Sequence, residues 1–155
     1  MEHNMKQHGS PYIRLAVMIV LSFISMYFLM YAMVDRLENV YSSFNEFYMA
    51  GLMTAPMVVI ELVLMGAMYK NKKVNAVCLV LGVLAGILFW TLIRQQTAIS
   101  DKQFLRSMIP HHAGAILMCQ EASIEDPEIK TLCKSIVSGQ QAEIEQMKAL
   151  LRKHP

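Results

Sequence analysis

Charged residues are scarce in this sequence and unevenly spread. Only 17% of its 155 residues are Asp, Glu, Lys or Arg. Residues 12–34 contain one of them, Arg14; residues 47–69 contain one, Glu61; and residues 74–93 contain none. A helix needs about 20 apolar residues to cross the hydrocarbon layer of a membrane, and each stretch reaches that length. The sequence therefore predicts an all-α chain that begins with three transmembrane helices.

Other absences narrow the range of functions. The sequence has no Gly-rich phosphate-binding loop, so nucleotide hydrolysis is not indicated, and any transport would depend on a gradient or a partner protein. It also has no basic patch interleaved with aromatic residues, so we expect no nucleic acid among its partners. The expected partners are the lipid bilayer and further copies of the chain.

The basic residues predict the orientation of the chain. The first apolar stretch is too long for a cleaved signal peptide, and no cleavage site of small residues follows it, so we expect it to remain. Lys6 and Arg14 precede the first helix, and the loop at residues 70–73 carries three lysines. The positive-inside rule then places residues 1–11 in the cytoplasm as a tail, with residues 12–95 as a membrane domain. We expect a bacterial inner-membrane protein whose segment 100–152 lies in the periplasm.

Methionine is absent from the third apolar stretch but frequent in the other two. The sequence has 14 methionines, and nine of them lie in those two stretches. Met is flexible and fills irregular gaps, so packing alone is one explanation. The other is a ladder of thioethers that binds or passes Cu(I), since soft sulfur suits that ion. The candidate membrane path consists of Met26, Met30, Met49, Met53, Met57, Glu61 and Met65. Glu61, expected at mid-membrane depth, either serves a function or is protonated and bonded to a neighbouring helix.

The chain beyond Ile93 is predicted to form a helical hairpin. One helix is expected from about Ser100 to Ser123 and a second from Pro127 to Arg152, with Asp126 as the cap of the second. Folding the chain about residues 125–126 brings Cys119 level with Cys133 and His112 level with Gln140. The two helices thus bring polar groups to one level, which indicates either a metal site or a satisfied hydrogen-bond network. A two-helix hairpin cannot bury both its faces, so we expect a homodimer or higher oligomer that completes a four-helix bundle.

The candidate metal ligands carry a specific resemblance. The segment Met108-Ile-Pro-His-His112, followed by Gln140-x-x-Glu143-Ile-x-x-Met147, resembles the family catalogued as domain of unknown function 305. The resemblance covers residues 101–151, about a third of the chain. It implies a ferritin-like helical bundle, and in some members a periplasmic role in copper or silver binding and tolerance. Carried over to this sequence, it implies as metal-site residues Met108, His111, His112, Met118, Gln140, Glu143 and Met147.

Three cysteines leave one candidate pair. Cys78 lies in a membrane stretch, whereas Cys119 and Cys133 could form a disulfide, bind a soft metal as thiolates, or pack as buried thiols. His3 could support an amino-terminal Cu(II) site, but any His at the third position would, so an ordinary polar tail is the simpler interpretation.

Three functions remain as hypotheses. The first is a membrane-anchored protein that binds copper, with Cu(I) favoured, or silver, for tolerance, sequestration or delivery, and that has a copper chaperone or exporter as a partner. The second is a ferritin-like metal oxidase, although neither His111 nor His112 has the Glu three residues earlier that di-iron bundles use. The third is a structural or sensory membrane subunit whose hairpin recruits a partner.

Overall fold

The computed structural model describes residues 11–153, and within them the chain is all-helical, with five α-helices and no strand. The predicted all-α class is therefore confirmed. The proposed amino-terminal features, including His3, lie outside the described residues. The α-helices are α1 (Pro11–Leu29), α2 (Phe44–Leu64), α3 (Lys72–Arg94), α4 (Asp101–Glu121) and α5 (Pro127–Lys153), with short 3₁₀ segments at Met30–Met33, Leu37–Asn39 and Gly66–Met68.

Three helices are long and apolar enough to span a membrane, as the sequence predicted: Pro11–Met33, Phe44–Leu64 and Lys72–Arg94. The second begins and ends earlier than expected. Ser43 precedes it, and the Ser43 hydroxyl donates to the carboxylate of Glu46, a pairing typical of a helix start. The third is capped by Asn71, whose side chain accepts hydrogen bonds from the backbone amides of Lys73 and Val74 at 3.1 and 3.2 Å.

The chain divides into two compact units. We call residues 11–27 and 48–95 the three-helix unit, and residues 28–47 and 96–153 the hairpin unit. In the three-helix unit, Leu15, Val58, Leu62 and Tyr69 form a buried cluster. Gly82 of α3 allows close approach to Val58 there, since a side chain at that position would begin 3.4 Å from the Val58 Cβ atom.

The hairpin unit is built around α4 and α5. Its core consists of Ile109, Ala113 and Ile116 from α4 with Ile144 and Met147 from α5. Spacings of three and four residues place each set on one side of its helix, so the two sides meet along the hairpin. Burying these five side chains supplies the main stabilisation of the unit.

A feature not anticipated from the sequence is the role of the segment 28–47, which joins α1 to α2. It packs on α4, and its Val34 and Tyr41 contact the hairpin core. At Gly114 the backbone carbonyl of Met33 lies 3.4 Å from where a side chain would begin, so glycine permits this close approach. The segment therefore covers one side of α4 that the hairpin alone would leave open.

The turn of the hairpin is set by local chemistry. The side chain of Asp126 accepts hydrogen bonds from the amides of Glu128 and Ile129 at 2.8 and 3.0 Å, which confirms it as the cap of α5. Cys119 and Cys133 are joined as a disulfide, with their Cα atoms 5.3 Å apart. Of the three alternatives left open for this pair, the structure shows the disulfide.

Candidate metal site

His112 is the centre of the polar groups in the hairpin. It is buried on α4, with 9% of its surface exposed, beside the core residues Ile109 and Ala113. Its Nδ1 lies 2.9 Å from the carbonyl oxygen of Met108, one turn earlier. Because a carbonyl only accepts, Nδ1 is assigned the proton and donates it, which leaves Nε2 as the nitrogen directed away from the helix. This arrangement holds the ring in one orientation.

The Nε2 atom of His112 faces a carboxylate. Glu143 on α5 places its Oε2 atom 2.7 Å from Nε2, and the Glu143 side chain is half-exposed. Beside a carboxylate, Nε2 can carry a second proton in a charge-assisted hydrogen bond, or it can share a cation with that carboxylate. The pair is therefore suited either to an internal ion pair or to binding a metal ion.

The partner of His112 is one helical turn from the residue expected at its level. The sequence placed Gln140 opposite His112, and the disulfide shows that this backbone alignment is sound, since Cys119 and Cys133 meet. Helical side chains lean toward the amino-terminal end of their helix. In antiparallel helices these leanings are opposite in direction, so His112 and Glu143 lean toward one another and close a separation of about one turn. Gln140 remains half-buried.

The predicted thioether ligands do not share one environment. Met147 is buried in the core, and Met108 packs against that core while remaining partly exposed. Met118 is 53% exposed, and it lies almost two turns beyond His112. The structure therefore brings Met108 and Met147 to the neighbourhood of His112 and Glu143, but not Met118.

His111 points away from this pair. Its side chain is exposed, and its ring centroid lies 6.2 Å from that of His112. Adjacent helical residues differ by about 100° in direction, so the two imidazoles cannot serve one small site in a single chain without rearrangement. His111 belongs instead to the open side of α4.

The donor chemistry fits a soft or borderline metal only in part. Imidazole, carboxylate and thioether groups near His112 are ligand types used for copper. Among residues 11–153, however, no group of three or more His, Cys, Asp or Glu side chains is close enough to hold a metal ion. Any metal held at His112 and Glu143 would thus need thioethers or a second chain to complete its coordination.

The residues of the candidate membrane path lie on the outside of the three-helix unit or at its margins. Met49, Met53 and Met65 are each at least 40% exposed, and Met57 is half-buried. Met26 is half-buried in the three-helix unit, and Met30 is half-buried in the hairpin unit. A cavity of about 280 Å³ within the three-helix unit has an almost wholly apolar lining, and no methionine lines it in the described chain. The membrane path through these residues stays a prediction.

Glu61 lies near the end of α2 and not at its middle. The helix ends at Leu64, five residues before the predicted boundary, so Glu61 falls in the last turn. The hydroxyl of Tyr69 donates to the Glu61 carboxylate at 3.1 Å. Tyr12 packs on Tyr69 with ring centroids 5.4 Å apart, and its hydroxyl donates to Asn75 at 2.8 Å. These contacts tie α1, the end of α2 and the start of α3 together.

Sequence reasoning missed the polar group that the segment 28–47 brings to the hairpin unit. Asn39 is buried and its amide donates to the carboxylate of Asp35 at 2.6 Å, while the Asn39 Oδ1 atom has no hydrogen-bond partner within the described chain. The four-residue spacing of an Asp and an Asn was the available signal. This spacing is too common in loops for the sequence alone to have identified the segment 28–47 as part of the hairpin unit.

Comparison with known proteins gives two matches. Residues 89–151 match the model of a family described as a domain of unknown function, DUF305, which confirms the resemblance noted from the sequence. The chain is also 33% identical over 138 residues to an uncharacterised protein of Acanthamoeba polyphaga mimivirus, an alignment that covers 87% of this chain and 89% of the viral protein. No solved structure matches the chain significantly.

Proposed function

The chain belongs to the family of this viral relative and carries a DUF305 domain, and from that premise we propose that it is a membrane-anchored protein that binds copper or silver. The metal is its cargo, and the function is tolerance, sequestration or delivery. The observation that carries the proposal is the buried His112, held by the Met108 carbonyl with its Nε2 atom directed at Glu143. An imidazole nitrogen that faces a half-exposed carboxylate at the edge of the core is in a position to exchange its proton for a metal ion.

The donor atoms available around His112 favour a particular metal ion. His112 and Glu143 would supply nitrogen and oxygen, and the soft donors would be the thioethers of Met108 and Met147, which lie one turn from His112 and Glu143 on the same helices. Thioether donors favour Cu(I) and, by the same softness, silver. The bound metal would replace a proton at Nε2, while the Nδ1 contact keeps the imidazole oriented.

The remaining parts of the proposal concern assembly and location. A second copy would complete a ferritin-like four-helix bundle and would supply further donors, since residues 11–153 contain no group of three His, Cys, Asp or Glu side chains that could hold a metal ion. The charges around the apolar helices support a bacterial inner membrane with the amino terminus in the cytoplasm and the hairpin in the periplasm. A copper chaperone or exporter would then exchange metal with the hairpin.

Metal analysis of the full chain in detergent tests the proposal. After anaerobic loading with Cu(I) and removal of unbound metal, we expect wild type to retain copper and His112→Gln to lose most of it. Gln120→Ala, on an exposed position of α4, is the matched control and should retain as much as wild type. Absence of retained copper in wild type, or equal retention in His112→Gln, contradicts the proposal.

A second candidate is favoured by one observation. Both ring nitrogens of His112 already have partners within the chain, as in a structural hydrogen-bond network. On that account the hairpin is an interaction module that recruits a partner protein. His112→Gln would then lower the thermal stability of the hairpin unit, while copper and silver would leave the stability of wild type unchanged.

A further inference from the structure

We propose that the Cys119–Cys133 disulfide is a site of thiol–disulfide exchange, and that its substrate is a small thiol that carries carboxylates. The substrate would bind in a depression beside the disulfide, between Cys119, Lys130, Cys133, Lys134 and Val137, which we call the turn depression. Cys119 lies about two turns of α4 beyond His112, and no metal ion takes part. The proposal therefore goes beyond the function proposed above.

The disulfide lies at the surface of the hairpin unit. Cys119 and Cys133 are each half-buried, and both line the turn depression. Neither cysteine belongs to the buried core cluster that joins α4 to α5. A thiolate must reach a disulfide sulfur directly, so a bridge enclosed in a core is protected, whereas a bridge that lines an open depression can be attacked.

The turn depression has the size of a small-molecule site. Its volume is about 590 Å³, and sites for small ligands have volumes of roughly 300–1,000 Å³. The lining is mostly apolar, with Ala122 and Ile124 beside the turn and Val137 on α5. There is thus room for a molecule as large as a short peptide, and its hydrocarbon part would contact these side chains.

Helix α5 places two lysines beside Cys133. Lys130 precedes Cys133 by three residues, and Lys134 directly follows it. Val137 lies four residues after Cys133 and three after Lys134. Residues three and four apart lie on neighbouring turns of one side of a helix, which is why all four line the same depression.

The charge of the turn depression favours an anionic ligand. Within the part of the chain that the structure describes, Lys130 and Lys134 contribute to its lining, and no Asp or Glu does. Neither ammonium group forms an ion pair with a carboxylate of residues 11–153. The nearby carboxylate of Asp126 instead accepts hydrogen bonds from the backbone at the start of α5. A ligand with carboxylates would supply the partners that these two lysines lack.

The exchange proceeds by two displacements at sulfur. In the first, the substrate thiolate attacks the Sγ atom of Cys119, a bond forms between those two sulfurs, and the bond from Cys119 to Cys133 breaks. Cys133 leaves as a thiolate, which the ammonium groups of Lys130 and Lys134 stabilise. This assignment follows from the position of both lysines on the helix of Cys133.

In the second displacement, another substrate thiolate attacks the substrate sulfur that is bound to Cys119. The two substrate molecules leave joined by a disulfide, and Cys119 is released as a thiolate. The protein has then gained two electrons from the substrate, and the protons of the two substrate thiols are balanced by protonation of the two cysteines. The reverse reaction with the oxidised substrate forms the Cys119–Cys133 bond again.

Rates of reduction of the full chain in detergent test the proposal. The background is Cys78→Ala, which removes the free cysteine. The probes are reduced glutathione and its diethyl ester, which has the same thiol but no free carboxylate. At low ionic strength we expect glutathione to react about tenfold faster than the ester, because a basic cleft concentrates anions. The cysteines released are alkylated and counted by mass spectrometry, and equal rates for the two probes overturn the proposal.

Two pairs of substitutions identify the recognising charges. Lys130→Gln with Lys134→Gln should slow the reaction with glutathione to the rate of the ester and leave the ester rate unchanged. Arg152→Gln with Lys153→Gln removes the same charge from exposed positions at the other end of α5, and this matched control should keep the advantage of glutathione. An unfolded hairpin would react faster with both probes, so unfolding is distinguished from lost recognition. An advantage that survives the first pair, or that both pairs abolish equally, overturns the proposal.

The intermediate tests the direction of the exchange. When the reaction of the Cys78→Ala chain is stopped with acid before completion, we expect glutathione to be attached to the peptide that contains Cys119. Attachment mainly to the peptide that contains Cys133 overturns the assignment of the leaving sulfur. These measurements use no metal, so the absence of retained copper in wild type contradicts only the proposed function and leaves the exchange standing.

Discussion

The contact between His112 and Glu143 joins two side chains of the hairpin that can share a proton or a metal ion. One is buried and the other half-exposed, so the pair lies at the boundary between core and solvent. A buried imidazole without its partner would lose a charge-assisted hydrogen bond, while the carboxylate could be hydrated. We therefore expect the pair to contribute to the stability of the hairpin unit as well as to the proposed metal site.

Replacing Glu143 should separate these two roles. Glu143→Ala removes the partner of His112 Nε2, and we expect it to destabilise the hairpin unit by about 1 kcal/mol, because the carboxylate is half-exposed and solvent weakens the contact. Glu143→Gln retains a polar partner and should cost less than half as much. Hydrogen exchange of the α4 amides in the full chain measures both. Equal protection in wild type and Glu143→Ala would show that the contact contributes no stability.

At the scale of elements, covalent and steric constraints hold each unit together. The disulfide joins the ends of α4 and α5 next to the hairpin turn, across a separation of 14 residues. In the three-helix unit, Gly51 of α2 packs directly against the ring of Phe89 on α3, and a side chain at that position would overlap the ring. Both features are specific to one unit, so each can be altered separately.

Removing the disulfide should weaken the hairpin unit. Closing a loop of about 15 residues stabilises a fold by about 3 kcal/mol, chiefly by restricting the unfolded chain. We expect Cys119→Ser with Cys133→Ser to speed hydrogen exchange at the adjoining ends of α4 and α5. Cys78→Ser, which removes the free cysteine, is the control and should leave that exchange unchanged. Unaltered exchange in the double variant would mean that packing alone holds the turn.

Filling the space at Gly51 should weaken the three-helix unit. Gly51→Val forces the Phe89 ring to move, and overpacking of this kind costs about 1–3 kcal/mol. Gly66→Val is the matched control, because no atom outside its own neighbours lies within 4 Å of the added Cβ. The rate at which a thiol-reactive dye labels Cys78 on heating reports on this unit. A transition temperature lower for Gly66→Val than for Gly51→Val contradicts the packing described.

At the scale of the whole molecule, the length of the apolar helices predicts which segments span a membrane, and the positions of the basic residues predict their orientation. Three helices have the length and hydropathy of membrane spans. We propose that all three cross the membrane and that the short loop with three lysines at residues 70–73 lies in the cytoplasm, as the positive-inside rule predicts.

Labelling in intact cells tests this topology. In a Cys78→Ala background, we expect Ser123→Cys, at the hairpin turn, to react with a membrane-impermeant maleimide from the periplasmic side. Ala67→Cys, in the short segment between α2 and α3, should react only after the cells are lysed. The reverse pattern would invert the topology, and labelling of both positions before lysis would exclude a fixed orientation.

The sequence by itself determined the elements that depend on local chemistry. Apolar length predicted the three candidate spans, and Asp126 with Pro127 predicted the start of α5, because capping needs only neighbouring residues. Equal spacing from the turn brought Cys119 level with Cys133. The family resemblance was likewise available from the spacing of a few polar residues on two helices.

Only the tertiary structure decided which side chains meet. The lean of side chains in antiparallel helices paired His112 with Glu143 and not with Gln140. The orientation of α2 in the three-helix unit leaves Met49 exposed. The segment 28–47, which is distant from α4 in the sequence, covers one side of that helix. These outcomes depend on three-dimensional packing between segments far apart in the chain, and periodicity along a single helix carries no information about them.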